Sequence, residues 1–127
     1  MRIALDTNAY TNLLRGEPAV VAVVAAATHV YLPVIVLGEL LAGFACGHRP
    51  AENQTTLNRF LESPKVSLLT VDGTTAEVYA RFFRQLRQQG TPIPTNDLWI
   101  AALTAQHQLQ LCSRDQHFDT LPEISRC

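Results

Sequence analysis

The sequence predicts an α/β protein with a mostly parallel central sheet of four or five strands and helices on both faces. Two observations carry that expectation. Short apolar, strand-like runs alternate with longer helical segments along the whole chain, the order that βαβ crossovers produce. Proline and glycine fall singly between those segments, as punctuation, and no repeat, low-complexity tract or linker interrupts them. The bulk numbers agree. A length of 127 residues suits one ordinary domain over 1–127, and 47% hydrophobic against 17% charged residues favours a packed core over disorder.

Each element has a local reason. RIAL (2–5) is a short apolar run before a polar turn and reads as a buried strand. TNAYTNLLR then reads as a helix. EPAVVAVVAAAT (17–28) is predicted helical despite its valines, because Pro18 suits a first turn and the run is too long for a normal strand. VYL (30–32) is a second strand, and residues 34–46 form an apolar helix. Residues 50–63 form an amphipathic helix ended by Pro64, and KVSLLTV (65–71) is a third strand. The next helix is the clearest. Thr74 and Glu77 make a capping box, Tyr79, Phe82, Phe83 and Leu86 recur at i, i+3, i+4 and i+7, and Gly90 closes it. PTNDLWIAALTAQHQ (94–108) opens a helix near Thr95, LQLCS (109–113) is a fourth strand, and 124–126 is a candidate edge strand.

Other features narrow the setting. Met1 runs straight into RIALDTN with no cleavage pattern, and the window 30–46 is short for a membrane span and contains Pro33, Gly38 and Glu39. Three widely spaced cysteines, Cys46, Cys112 and Cys127, do not read as a disulfide framework, so a reducing cytoplasm is expected. Cys46 is expected to be a small core residue, since no second ligand pair follows CGH at a zinc-binding spacing.

One residue in the 34–46 helix stands out. Glu39 sits inside the apolar run VIVLGELLAGF, and a carboxylate taken out of water is costly unless it is paired or bound to a metal. Ligands of open α/β sheets bind beyond the carboxyl ends of the strands, and three more acids point there. Asp6 follows the first strand, Asp115 follows the fourth, and Asp97 lies in the first turn of its helix. Each has a bland reading taken singly: a turn former, a helix cap, or a partner of the helix dipole. Crowded together, four carboxylates repel one another and raise each other's pKa, a conflict that a divalent cation removes. Oxygen ligands suit Mg²⁺ or Mn²⁺, and a cation of that kind polarises phosphoryl oxygens, activates water and stabilises a leaving oxygen.

The stretches ALDTNAY, LGELLAG, PTNDLWIAA and SRDQHFDTLP, in this order, resemble the PIN-domain ribonucleases, and most closely the VapC toxins of toxin–antitoxin pairs. The resemblance covers nearly the whole chain. It implies a PIN-like three-layer α/β/α sandwich. It also implies a metal-dependent endoribonuclease in which Asp6, Glu39, Asp97 and Asp115 bind Mg²⁺ or Mn²⁺ and water attacks the phosphorus in line. Ser113 matches the family's small hydroxyl residue before the last acid. Thr7 and Asn8 fall in the first motif and would orient Asp6 or contact phosphate. Asn96, beside the third acid, would do the same or cap its helix. Asp119 is an extra, peripheral acid. The resemblance further implies a homodimer and a VapB-type antitoxin, with DNA contacted only through that antitoxin.

The net charge of −1 looks wrong for an enzyme of RNA. Setting the four site acids aside leaves seven acids against ten Lys and Arg, a surplus of +3 over the rest of the chain. Arg114, beside Asp115, and Arg15, at the end of the first helix, are the RNA-contact candidates. Arg81, Arg84 and Arg87 read as a solvated helix face, and Trp99, Phe118 and His117 as packing, core and loop residues. Three rivals remain. A receiver domain would need adjacent acids after the first strand and a late lysine, yet Asp6 has no acidic neighbour and Lys65 is the only lysine. A phosphatase of the haloacid dehalogenase type would need a DxD pair, and Asn8 holds the second position. A PIN fold without catalysis, acting as a binding module, is the alternative function.

Overall fold

The computed structural model describes residues 1–127. Four strands, β1 (Arg2–Leu5), β2 (His29–Pro33), β3 (Val66–Leu69) and β4 (Gln110–Cys112), pair in the order β3-β2-β1-β4, all parallel. The helices are α1 (Thr7–Leu14), α2 (Pro18–Ala26), α3 (Val34–Ala45), α4 (Pro50–Glu62), α5 (Gly73–Gln89) and α6 (Thr95–Gln106), followed by a short 3₁₀ helix, Gln116–Thr120. No helix is long and apolar enough to cross a membrane.

The strand order places the site. The chain steps outward from β1 to β2 to β3, then returns to the other side of β1 with β4. The order reverses at β1, so a crevice opens beyond the carboxyl ends of β1 and β4. Register fixes its floor: Ala4 pairs with Leu111 and Leu5 with Cys112, so the residues after both strands emerge side by side. The strands can stay continuous and apolar because helices cover both faces. Ile3, Ala4, Leu5, Val30, Leu32 and Leu111 are fully buried. Helix α6 is buried almost all round through Leu98, Ile100, Ala101, Ala102, Leu103 and Thr104, which holds its first turn rigidly against the crevice.

Several expectations shift. The edge strand at 124–126 shrinks to a single parallel bridge, Leu111 with Arg126, held by Leu111 N–H to Ser125 O at 2.8 Å and Cys127 N–H to Leu111 O at 3.2 Å. The start of α5 is capped by Asp72, which accepts from Thr75 N–H at 3.0 Å while Thr75 Oγ1 accepts from Asp72 N–H at 3.0 Å. The expected pair Thr74 and Glu77 lies two residues too late. The buried face of α5 is Thr75, Val78, Phe82 and Leu86, and Phe83 stands 50% exposed. Cys46 is exposed at the end of α3 rather than in the core.

Candidate active site

Asp6 is the first residue past β1 and the N-cap of α1. Its Oδ1 accepts from Ala9 N–H at 2.8 Å, and its Oδ2 accepts from the Ser113 hydroxyl at 2.5 Å. Sheet pairing makes the second contact possible, since β4 runs beside β1 and Asp6 N–H reaches Cys112 O at 3.4 Å. Ser113 Oγ also accepts from Asp115 N–H at 3.1 Å, so one hydroxyl ties the turn after β4 to the carboxylate after β1. Asp115 in turn caps the 3₁₀ helix, accepting from His117 N–H at 2.9 Å.

Asp97 enters from the first turn of α6, and His117 joins it to Asp115. His117 Nδ1 lies 2.8 Å from Asp97 Oδ2 and 3.1 Å from Asp115 Oδ1. Two ionised carboxylates can only accept, so this nitrogen carries the proton between them. Glu39 comes from the middle of α3, half-buried. Its Oε1 accepts from Thr7 Oγ1 at 2.7 Å, and its Oε2 faces Asn96 Nδ2 at 3.5 Å. The lone acid in the apolar run is therefore tied to the elements that carry Asp6 and Asp97.

The electrostatics record the crowding. Asp6 is only 7% exposed. Burial pushes its pKa above the ordinary value, the Ser113 and Ala9 hydrogen bonds oppose that, and repulsion from Asp115 and Asp97 adds to it. Asp97 is raised first by burial, with His117 opposing, and then by repulsion from Asp115 and Glu39. All four acids are thus linked through one field. Ligand atoms of Asp97, Asp115 and His117 all lie within 4.8 Å of one another. A set of carboxylate oxygens under mutual repulsion fits a hard divalent cation such as Mg²⁺ or Mn²⁺, with His117 orienting two of the carboxylates through its Nδ1–H.

The supporting residues divide. Ser113 sits against Asp6 as expected of a residue that orients it. Thr7 turns to Glu39 rather than to Asp6. Asn96 also faces Glu39, and α6 begins after Pro94 with no side-chain cap, so Asn96 does not cap that helix. Asn8 is exposed on the rim. Arg114 is not a free cation: its Nη2 pairs with Glu17 Oε2 at 2.8 Å. Asp119 pairs with Arg126, apart from the cluster. Trp99 packs by stacking on Tyr79 at 4.0 Å between ring centroids, and Phe118 is core. The residue that sequence reasoning missed is His117. The signal was present, since a side chain two positions past a capping aspartate folds back over the cap, but the partner Asp97 lies 20 residues earlier and only the fold brings it there.

The PIN domain family model matches residues 3–124. Ribonuclease VapC4 of Mycobacterium tuberculosis is 26% identical over 91 residues, covering 72% of this chain and 70% of that protein. The solved structure of VapBC-5 from Mycobacterium tuberculosis, a member of the VapBC family of toxin–antitoxin systems, matches with a TM-score of 0.75 at 26% identity, over 99% of this chain and 98% of that one. VapBC-1 from nontypeable Haemophilus influenzae shares the fold with a TM-score of 0.88 at 23% identity, over 100% and 97% of the two chains. With a family match that spans nearly every element and the strand order of an α/β sheet built around an acidic crevice, the chain belongs to the PIN domain family.

Proposed function

We propose that this chain is a Mg²⁺- or Mn²⁺-dependent endoribonuclease of the cytoplasm, the toxin of a toxin–antitoxin pair. The observation that carries the reading is the convergence of Asp6, Glu39, Asp97 and Asp115 at the switch point of the sheet, each tied to the next by Ser113, Thr7, Asn96 or His117. Family membership and the ribonuclease VapC4 support the chemistry. VapBC-5 supports an antitoxin as partner.

In this reading the four carboxylates hold the cation, which when bound supplies positive charge to a phosphoryl oxygen and to water. The chain's own residues prepare the site. Ser113 fixes Asp6 Oδ2 by donation, and α1 fixes Oδ1, so Asp6 cannot rotate away. His117 holds a proton at Nδ1 between Asp97 and Asp115 and keeps both carboxylates on one side of the crevice. Thr7 and Asn96 do the same for Glu39. Side chains held this way are preorganised, and the reacting phosphate meets fixed charges rather than mobile ones. Exposed Val21, Leu41, Leu68, Val71 and Phe83 offer apolar surface for a second copy or the antitoxin to cover.

The test is cleavage of a mixed RNA pool by antitoxin-free protein with Mg²⁺, Mn²⁺ or EDTA, alongside Asp6→Asn. The expected result is cleavage that needs metal and falls at least about 100-fold in the variant. A folded protein that cuts nothing in either metal would move this chain to the binding-module reading.

A further inference from the structure

Two of the three free cysteines meet beside the acids. Cys112 ends β4 and is 5% exposed, while Cys127 is exposed on the segment that bridges to β4. The bridge sets their register. Leu111 pairs with Arg126 in parallel, so Cys112 and Cys127 are the next pair along. Side chains of such a pair leave the same face, and the two backbones run about 5 Å apart, a separation that a disulfide spans. The thiols lie within hydrogen-bonding reach of each other, and both residues line one cavity with Ser113 and Asp115.

Cys112 also ties β4 to the first acid. Its carbonyl accepts from Asp6 N–H at a long 3.4 Å, and the next residue, Ser113, donates to Asp6 Oδ2 at 2.5 Å. Both contacts reach toward β1, whereas Cys127 lies against the opposite edge of β4. The segment between the cysteines carries Ser113, Asp115 and His117, and Arg126 Nη1 donates to Asp115 O at 3.0 Å. A bond between the two sulfurs would therefore act on the acid-bearing turn directly.

We propose that Cys112 and Cys127 are a redox modification site, which a low-molecular-weight disulfide converts into an intramolecular disulfide that draws Ser113 off Asp6 and weakens the cation site. The exchange balances. The exposed Cys127, as thiolate, attacks one sulfur of the small disulfide, its S–S bond breaks and one thiol leaves. Cys112, as thiolate, then attacks the Cys127 sulfur of the mixed disulfide, and the second thiol leaves. Two protein sulfurs are oxidised, the small disulfide is reduced, and the two cysteine protons end on its two thiols. A disulfide brings its Cβ atoms to about 3.8 Å, so closure draws Cys112 outward by about 1 Å, away from β1. Ser113 follows, and both contacts to Asp6 lengthen. A preorganised site tolerates a displacement of that size poorly. The bond itself is independent of the nuclease reading, and its effect on the acids rests on it.

The probe is oxidised glutathione, removed before each measurement, on the full chain and on Cys127→Ser and Cys46→Ser. Intact mass and peptide mapping read the bond. Wild type and Cys46→Ser are expected to lose two hydrogens and to yield a peptide pair joined through Cys112 and Cys127, reversed by dithiothreitol. Cys127→Ser forms no such bond and keeps the Mg²⁺ response of the reduced wild type. The closed loop should raise the metal-free Tm by about 5 °C or more. Mg²⁺ should then raise Tm less than in the reduced protein, to an extent that matches about tenfold weaker affinity. Cleavage of a mixed RNA pool at limiting Mg²⁺ should fall about tenfold and recover on reduction. A pair that stays reduced in excess oxidised glutathione, carries only glutathione adducts or joins two copies overturns the proposal. So does an intramolecular disulfide that leaves the Mg²⁺ response of Tm unchanged. A disulfide that dampens the Mg²⁺ response of a protein that cuts no RNA supports the proposal and sinks the nuclease reading. A reduced protein whose Tm ignores Mg²⁺ and Mn²⁺ overturns both.

Discussion

At Asp6 the cap of α1 and the proposed metal ligand share one carboxylate. Its two oxygens cap α1 and receive Ser113, yet burial and two neighbouring acids raise its pKa above the ordinary 3.8. Asp97 is raised as well. The metal-free folded state therefore binds these protons more tightly than the unfolded chain does. Their contribution to stability is largest below the ordinary carboxylate pKa and is lost as pH rises through the raised values. Asn at position 6 keeps a good N-cap and removes the charge. Metal-free Asp6→Asn is thus expected to be more stable than the wild type at pH 7 and no more stable at pH 3, read by urea midpoints at both pH values. Added Mg²⁺ should raise the melting temperature of the wild type and leave the variant nearly unchanged. His117 makes a different prediction. Removing the proton that bridges Asp97 and Asp115 should free both acids, so His117→Ala is expected to weaken metal affinity about tenfold or more while the fold persists, measured by Mn²⁺ titration calorimetry.

Among the elements, α5 shows how local chemistry sets boundaries. Its periodicity is plain in the sequence, but Asp72 and Thr74 are both good capping residues, and the choice between them depends on contacts from elsewhere. Asp72 wins because Gln106 of α6 also donates to its Oδ1 at 3.0 Å and accepts from Thr75 at 2.5 Å. At the other end Gly90 has φ of +71°, and a Cβ there would meet nothing within 4 Å. Only backbone strain opposes a side chain, so Gly90→Ala is expected to cost about 1 kcal/mol in urea unfolding, with no change in RNA cleavage. The exposure of Phe83 has a related cause. Periodicity finds a helical stripe, while the width of the buried part depends on how closely α6 approaches, and here the apolar face stops at Phe82.

For the whole molecule the central quantity is charge. The net charge is −1, and four of the acids converge on the one crevice proposed to receive RNA. RNA affinity should then depend on the cation that the acids hold. Chelation with EDTA is expected to weaken RNA binding by at least about tenfold, and the loss should shrink at high ionic strength, both read by anisotropy. A protein that binds RNA equally well with and without metal would place the binding surface away from the acids.

The sequence by itself determined the α/β class and nearly every element and singled out the four acids that the fold brings together, because each is written locally: apolar runs, periodicity, capping residues, and a charge where the pattern wants none. Tertiary structure decided what those residues touch. The reversal of strand order at β1 brings residue 6 beside residue 113, and the buried rigidity of α6 brings residue 97 to residue 117. Thr7 turned to Glu39, Arg114 to Glu17, and Asp119 to Arg126, none of which local pattern carries. Hydrogen bonds and ion pairs act over about 3 Å, while Thr7 and Glu39, and Arg114 and Glu17, lie tens of residues apart, so only a fold that fixes relative position can choose among them.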